Sequence, residues 1–233
     1  MLGPVDWGVW FLATLFEAAV VVCSLHRKSF KRYFFLNLYM LLSVLVSVGR
    51  FQVLMNHNVA SDEYRYFYFY SDALLTITLF FALISLYSRV FEELHIEGYV
   101  RLGAVLTLAG TAWFSYTVVN QSTARMLTHF AFELCQNLYF VGLILTYVLW
   151  GAILKLRETR ALLVQLVLSL GVYFSAFAAT YAISNLNPTL YAYIHYLVPV
   201  FGCLLPLAWA YAILRVPEDA RLAPSRISSA VPR

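Results

Sequence analysis

Residues 6–32 read DWGVWFLATLFEAAVVVCSLHRKSFKR, an apolar run that is followed at once by four basic residues within 27–32. A helix of about 20 apolar residues is long enough to cross the hydrocarbon core of a bilayer. A cleavable signal peptide carries its positive charges before the apolar run, whereas the residues before this run include Asp6 and no base. The stretch therefore predicts a first transmembrane helix that the protein retains.

The rest of the chain repeats this pattern. Its 233 residues are 62% hydrophobic and 12% charged, which is about half the charged fraction of a soluble domain. Backbone polar groups in hydrocarbon must be satisfied within the segment, so such runs are predicted to be helices rather than the short alternating strands of a β-barrel. Short connections make neighbouring helices antiparallel, so we predict an all-α, up-and-down bundle over residues 1–216. The seven predicted spans are residues 6–25, 33–55, 65–88, 102–120, 127–152, 161–183 and 190–214.

The basic residues predict how the bundle is oriented. Of the 16 Lys and Arg residues, 13 lie in alternate connections or in the C-terminal tail, and only Arg65 and Arg125 lie in connections on the other side. Because cytoplasmic loops carry the excess of Lys and Arg, the N-terminus is predicted to be outside and the C-terminus cytoplasmic. Residues 217–233, which contain Pro, Ser and Arg, are predicted to form a disordered basic cytoplasmic tail. The net charge of +4 is thus explained without a nucleic-acid partner.

Ionisable residues inside the predicted spans are the candidate functional residues. Each costs roughly 2.5–3.5 kcal/mol at mid-helix on insertion scales, so each needs a partner or a purpose. The depth of each residue follows from its distance in sequence from the end of its helix, at about 1.5 Å per residue. Most of these residues lie at a similar depth in the outer half of the bundle, and Glu17 lies deeper. The candidate ligand- or proton-binding residues are Glu17, Arg50, Asp72, His129, Glu133 and His195.

Polar residues at helical spacing suggest that these groups face the bundle interior. Ser43, Ser47 and Arg50 share one face of the second helix, and a polar face on the fifth helix begins at His129 and Glu133. One interpretation is structural, with Arg50 paired to Asp72 or Glu133. The other is a polar pocket, open to the outside, for a small ligand, a cation or a proton. Three carboxylates oppose one arginine, and Glu17, the deepest, is predicted to carry the proton.

Several cofactor chemistries can be weighed from the residues present. A retinal protein needs a lysine in its last helix, and the only lysines are Lys28, Lys31 and Lys155, so retinal is excluded. His129 and His195 offer a single pair of axial haem ligands. With Asp72 and Glu133 they offer a mixed zinc site, as in seven-helix hydrolases of the ceramidase type, although no His-x-x-x-His occurs. These signals are weak, so we predict no cofactor and no metal, and no catalytic residue is assigned.

Four segments carry a resemblance to a known family. They are RYFFLNLYMLL at 32–42, YFYFYSDALL at 66–75, the fifth helix with Glu133, and AWAYAILRVPE at 208–218. With these segments the chain resembles a family of seven-helix membrane proteins of acidobacterial type that has no assigned activity. The family is expected to carry glutamate more often than aspartate at position 72. The resemblance implies a multi-pass protein of a bacterial inner membrane and nothing about mechanism.

These observations favour a non-enzymatic receptor or sensor-like protein with an outward-facing polar pocket. Its partners would be the lipid bilayer, a small ligand or cation from outside, and a membrane or cytoplasmic protein that docks on the inner loops. Three alternatives stay open: a small transporter or channel component, a structural subunit of a membrane complex, and a metal-dependent membrane hydrolase. The sequence predicts neither the ligand nor the oligomeric state.

Overall fold

A computed structural model describes residues 4–57, 61–120, 126–194, 197–217 and 220–222. These parts of the chain are all-helical, which confirms the predicted fold class. The 3₁₀ turn Glu92–Leu94 joins α3 to α4. The helices are α1 Pro4–His26, α2 Phe34–His57, α3 Asp62–Val90, α4 Glu97–Asn120, α5 Met126–Lys155, α6 Ala161–Leu186, α7 Pro188–Ile194 and α8 Val198–Arg215.

Seven of these helices, all except α7, are long and apolar enough to cross a membrane. The chain is therefore an integral, multi-pass membrane protein, as its composition predicts. Helix α3 begins three residues before its predicted start, because the Ser61 side chain accepts a hydrogen bond from the Tyr64 backbone N–H at 3.1 Å and caps the helix. Helix α4 begins at Glu97 rather than 102, since its polar first turn extends beyond the apolar run.

The last span differs from the prediction. Residues 190–214 were predicted to form one helix, whereas the described residues form two helices, Pro188–Ile194 and Val198–Arg215, and residues 195–196 between them lie outside the described residues. Pro199 occupies the first turn of the second helix. Proline lacks an N–H and its ring clashes with the carbonyl four residues earlier, so it begins a new helix more readily than it continues one.

The membrane-spanning helices are arranged as a ring with one helix outside it. Around the ring the neighbours are α1, α2, α3, α5, α6 and α8, and α8 packs back on α1. Helix α4 packs on the outside, chiefly against α5 and less against α3. Inside the ring the core contains large side chains with almost no exposed surface, including Leu36, Leu83, Leu166, Phe174 and Trp209. Sequence order therefore does not give the packing order, because α3 and α5 are neighbours.

The two ends of the bundle differ in charge. We call the end with connections 27–33, 91–96 and 156–160 the basic end, and the opposite one the distal end. At the basic end Arg160 donates to Glu158 at 2.7 Å, to Glu92 at 3.2 Å and to the Arg89 carbonyl at 2.7 Å. One arginine thus ties the connection before α4 to the connection before α6.

Part of the C-terminal segment also lies at the basic end. The backbone N–H of Ala161 donates to the Ala220 carbonyl at 3.0 Å, and that of Leu222 donates to the Thr159 carbonyl at 2.7 Å. Residues 220–222 therefore pair with the α5–α6 connection, although 217–233 was predicted to be disordered. Residues 218–219 and 223–233 lie outside the described residues, and for them disorder stays a prediction.

Candidate functional site: a polar cluster in the distal half

Glu17 on α1 and Ser43 on α2 form the first contact of the cluster. The Ser43 hydroxyl donates to Oε1 of Glu17 at 2.6 Å. The second oxygen, Oε2, is buried, and no group in the described parts of the chain donates to it. A carboxylate accepts at up to four lone-pair positions, so Glu17 keeps unused acceptor capacity inside the bundle.

Arg50 joins α2 to α3 through most of its donors. Its Nε donates to the Ser71 hydroxyl at 3.0 Å, and its Nη2 donates to the Tyr68 carbonyl at 3.2 Å. Nη2 also lies 3.6 Å from Oδ1 of Asp72. The guanidinium carbon is 4.3 Å from the centre of the Tyr68 ring, a cation–π distance. The planar guanidinium, with donors in a fixed fork, suits this set of partners better than an ammonium would.

Asp72 connects the cluster to α5. Besides Arg50, its carboxyl group interacts with the thiol of Cys135, which also contacts the Thr76 hydroxyl. The Asp72 side chain keeps 27% of its surface exposed, against 17% for Arg50. The pair lies in the distal half, and both side chains are largely buried. Of the two partners predicted for Arg50, the structure pairs it with Asp72.

The polar face of α5 is only partly directed at this cluster. Nε2 of His129 lies 3.6 Å from Oε1 of Glu133, so these two residues pair along their own helix. Asn137 donates to the Ser115 hydroxyl at 3.0 Å and faces α4. This polar face is therefore divided between a contact along α5 itself and a contact with α4, which lies outside the ring.

Gln136 carries a second unsatisfied group, since its Oε1 is buried with no partner in the described parts of the chain. His195 lies outside the described residues, so its place relative to the other candidates stays a prediction. Within 4–57, 61–120, 126–194, 197–217 and 220–222 there is no group of three or more His, Cys, Asp or Glu side chains that could hold a metal ion.

Tyr68, Ser71 and Cys135 belong to the cluster but were not among the candidates, and neither was Ser43, which was noted only for the polar face of α2. Tyr68 lies in the aromatic stretch 64–70 at the start of α3, where rings with polar tips are typical of the membrane interface. Ser71 precedes Asp72 directly and could have been found from that adjacency. Cys135 carried no signal, since a cysteine in an apolar run is most often a small buried hydrophobe.

Comparison with protein-family models, with curated proteins and with solved structures found no match for this chain.

Proposed function

We propose that this integral membrane protein is a non-enzymatic, sensor-like protein whose polar cluster takes up a proton or a small cation. The observation that carries the proposal is the buried Oε2 of Glu17, which has no donor in the described residues. Asp72 already faces the charge of Arg50 at 3.6 Å, whereas the group that donates a hydrogen bond to Glu17 in the described parts of the chain is a neutral hydroxyl. A proton or a cation would supply the missing partner.

We further propose that the distal end faces the outside of a bacterial inner membrane. The excess of Lys and Arg at the basic end supports a cytoplasmic position for that end. Asp72 lies in the distal half and keeps 27% of its side-chain surface exposed, so the ligand would enter from outside. A protein that docks on the cytoplasmic connections would receive the signal. The likeness to the acidobacterial family agrees with this placement.

The test is thermal unfolding of the purified protein in lipid nanodiscs between pH 5 and pH 8. Glu17→Gln keeps the shape of the side chain and mimics the protonated acid. We expect the melting temperature of Glu17→Gln to equal that of the wild type at pH 5. At pH 8 it should be higher than that of the wild type by about 2–4 °C, because only the wild type must then hold a buried negative charge. Glu63→Gln, on an exposed site of the distal end, is the control and should follow the wild type throughout.

A parallel series at pH 8 measures the melting temperatures of the same proteins in sodium chloride and in choline chloride. If sodium raises the melting temperature of the wild type and leaves Glu17→Gln unchanged, the ligand is the cation rather than the proton. Identical pH profiles for wild type and Glu17→Gln, with no sodium effect, would overturn the proposal. If Glu17→Gln does not fold, Ser43→Ala tests the same contact.

A transport function is the second candidate, and one observation favours it. Tyr39 lies one helical turn from Ser43 towards the basic end, and its hydroxyl is 3.5 Å from that of Tyr173 in the buried core. Hydroxyl groups therefore continue beyond the cluster into the bundle. Proton flux into vesicles containing the protein, abolished by Tyr39→Phe and by Glu17→Gln, would favour transport over sensing.

A further inference from the structure

A separate cavity of about 630 Å³ lies at the basic end, on the face of α3 between α2 and α4. Its volume is typical of sites that hold a small organic ligand. No residue of the polar cluster lines it. It lies where three helices begin or end, since Arg32 precedes α2, Arg89 is in the last turn of α3 and Arg101 is in the second turn of α4. We call it the arginine groove.

The charged lining of the groove is dominated by three guanidinium groups. The side chains of Arg32, Arg89 and Arg101 line it together with those of Glu92 and Glu97. Glu92 accepts a hydrogen bond from Arg160 at 3.2 Å, and Arg160 also pairs with Glu158 at 2.7 Å, so these four arginines and three carboxylates leave the basic end around the groove with one excess positive charge. Glu97 pairs with Arg101 at 3.4 Å on the exposed surface of α4. An exposed pair of this kind is weak, so an anion can compete for the Arg101 guanidinium.

Arg89 is held in position before any ligand arrives. Its guanidinium donates to the Arg32 carbonyl and lies 5.1 Å from the centre of the Tyr33 ring. These contacts fix the orientation of the Arg89 N–H donors and hold the backbone of residue 32 against the Arg89 guanidinium. A preorganised guanidinium loses less entropy on binding a phosphate group.

The other wall of the groove is apolar and opens towards the side of the bundle. Phe35 of α2 stacks on Phe81 of α3 with ring centres 5.8 Å apart. Phe34 and Val105, on the two flanking helices, are 47% and 61% exposed. A second, largely apolar cavity of about 310 Å³ shares Ile84 and Ala104 with the groove and continues along α4. An amphipathic ligand with an anionic head and a hydrocarbon tail fits this distribution.

We propose that the arginine groove binds an anionic phospholipid of the surrounding bilayer. The phosphate group is held by Arg32, Arg89 and Arg101, and an acyl chain lies along the aromatic wall of α2 and α3. Basic pockets between transmembrane helices at the interface bind anionic headgroups through these same forces. The peripheral position of α4 leaves room for the chain, because α4 packs mainly on α5. This proposal is independent of the function proposed for the polar cluster.

The experiment measures the melting temperature of the delipidated full-length protein in a neutral detergent after addition of lipid. We expect phosphatidylglycerol to raise it by about 2–4 °C more than phosphatidylcholine does. The double variant Arg32→Gln/Arg101→Gln, which retains the structurally embedded Arg89, should lose this difference. The double variant Arg157→Gln/Arg215→Gln removes the same charge from the same end outside the groove and should keep it.

Two further arms distinguish a bound phospholipid from a soluble anion and from a general effect of charge. Inorganic phosphate at the same concentration should leave the melting temperature unchanged. If phosphate alone raised the melting temperature as much as phosphatidylglycerol does, a soluble anion would be the ligand and the proposal would be overturned. Val105→Trp narrows the apolar wall with all charges in place and should also reduce the phosphatidylglycerol effect. Equal effects of the two lipids on the wild type, or equal losses in both double variants, would show that the groove is not a specific site.

Discussion

Arg50 and Glu17 illustrate two ways in which a charged side chain is accommodated inside a span. Arg50 has a hydroxyl, a carbonyl, a carboxylate and an aromatic face around its guanidinium, so its desolvation is largely compensated. Glu17 has one hydroxyl at 2.6 Å and a second oxygen without a donor in the described residues. The two groups of the cluster therefore differ: Arg50 joins α2 to α3, whereas Glu17 keeps one oxygen without a donor in the described residues.

At the basic end, Glu158 allows a prediction about pH. Partial burial raises the pKa of Glu158, but hydrogen bonds from the Arg160 side chain and backbone, at 2.7–3.0 Å, hold it below its ordinary value. A carboxylate with a lowered pKa contributes stability that is present above its unfolded pKa of about 4.3 and is lost as the pH falls through its folded pKa. We expect Glu158→Gln to cost about 1–3 kcal/mol at pH 7.

The measurement is thermal unfolding of wild type and Glu158→Gln between pH 7 and pH 3. The difference between them should shrink as the pH falls below about 4, because the wild type then also loses its charge. Glu97→Gln is the control: its pair with Arg101 is exposed and should change stability by less than about 0.5 kcal/mol. If the stability of Glu158→Gln stayed below that of the wild type by a constant amount down to pH 3, the charge-based role of Glu158 would be contradicted.

At the scale of elements, α5 and α6 pack through reciprocal contacts between small and aromatic residues. A Cβ atom added at Gly142 of α5 would overlap the ring of Phe174, and one added at Gly171 of α6 would overlap Trp150. Each helix thus offers a glycine to an aromatic side chain of the other. Small residues let helices approach closely in a bilayer, where packing rather than the hydrophobic effect drives association.

This packing predicts the effect of one added methyl group. Gly142→Ala should destabilise the protein by about 1–3 kcal/mol, because the Phe174 ring must leave its place in a close-packed core. Gly151→Ala lies on the same helix with nothing within 4 Å of the new Cβ, and should be neutral or stabilise the helix by up to about 1 kcal/mol. Unfolding in a denaturing detergent measures both. Equal effects of the two substitutions would mean that the contact at Gly142 does not limit the approach of α6.

At the scale of the whole molecule, the ring of six spans with α4 outside it separates two polar regions. The polar cluster extends from the middle of the bundle, at Glu17 and Ser43, into the distal half, at Arg50 and Asp72, and the arginine groove lies at the basic end, where α4 leaves α3 partly uncovered. The two proposed sites are therefore separate: the cluster is formed by helices of the ring, whereas the groove is formed where α4 meets the ring.

The proposed orientation is tested on intact cells with a thiol reagent that does not cross membranes. A cysteine introduced at Glu63 of the distal end should react, and one introduced at Arg157 of the basic end should react only after the cells are broken. The wild type, in which Cys135 is buried and Cys23 and Cys203 are partly buried, gives the background. The reverse pattern would place the N-terminus in the cytoplasm.

The helical bundle followed from the sequence because its physical cause is local. Backbone groups in hydrocarbon must be paired within the segment, so each apolar run predicts a helix from its own composition, and the seven spans are confirmed. The pairing of Arg50 with Asp72 was one of two options, since depth along the helix can be counted from residue numbers. The division of the last span into Pro188–Ile194 and Val198–Arg215 was not predicted.

The choice among neighbours was made by the tertiary structure. Three features depend on which helix faces pack against each other. They are the position of α4 outside the ring, the contact of Asn137 with Ser115, and the packing of Phe174 over Gly142. Hydropathy is nearly uniform around these helices, so the sequence contains no strong signal of which face turns inward. The charge and the length of a helix are properties of a single segment, so they can be predicted from the sequence. The Glu17 oxygen that has no donor in the described residues and the arginine groove arise only when several helices pack together.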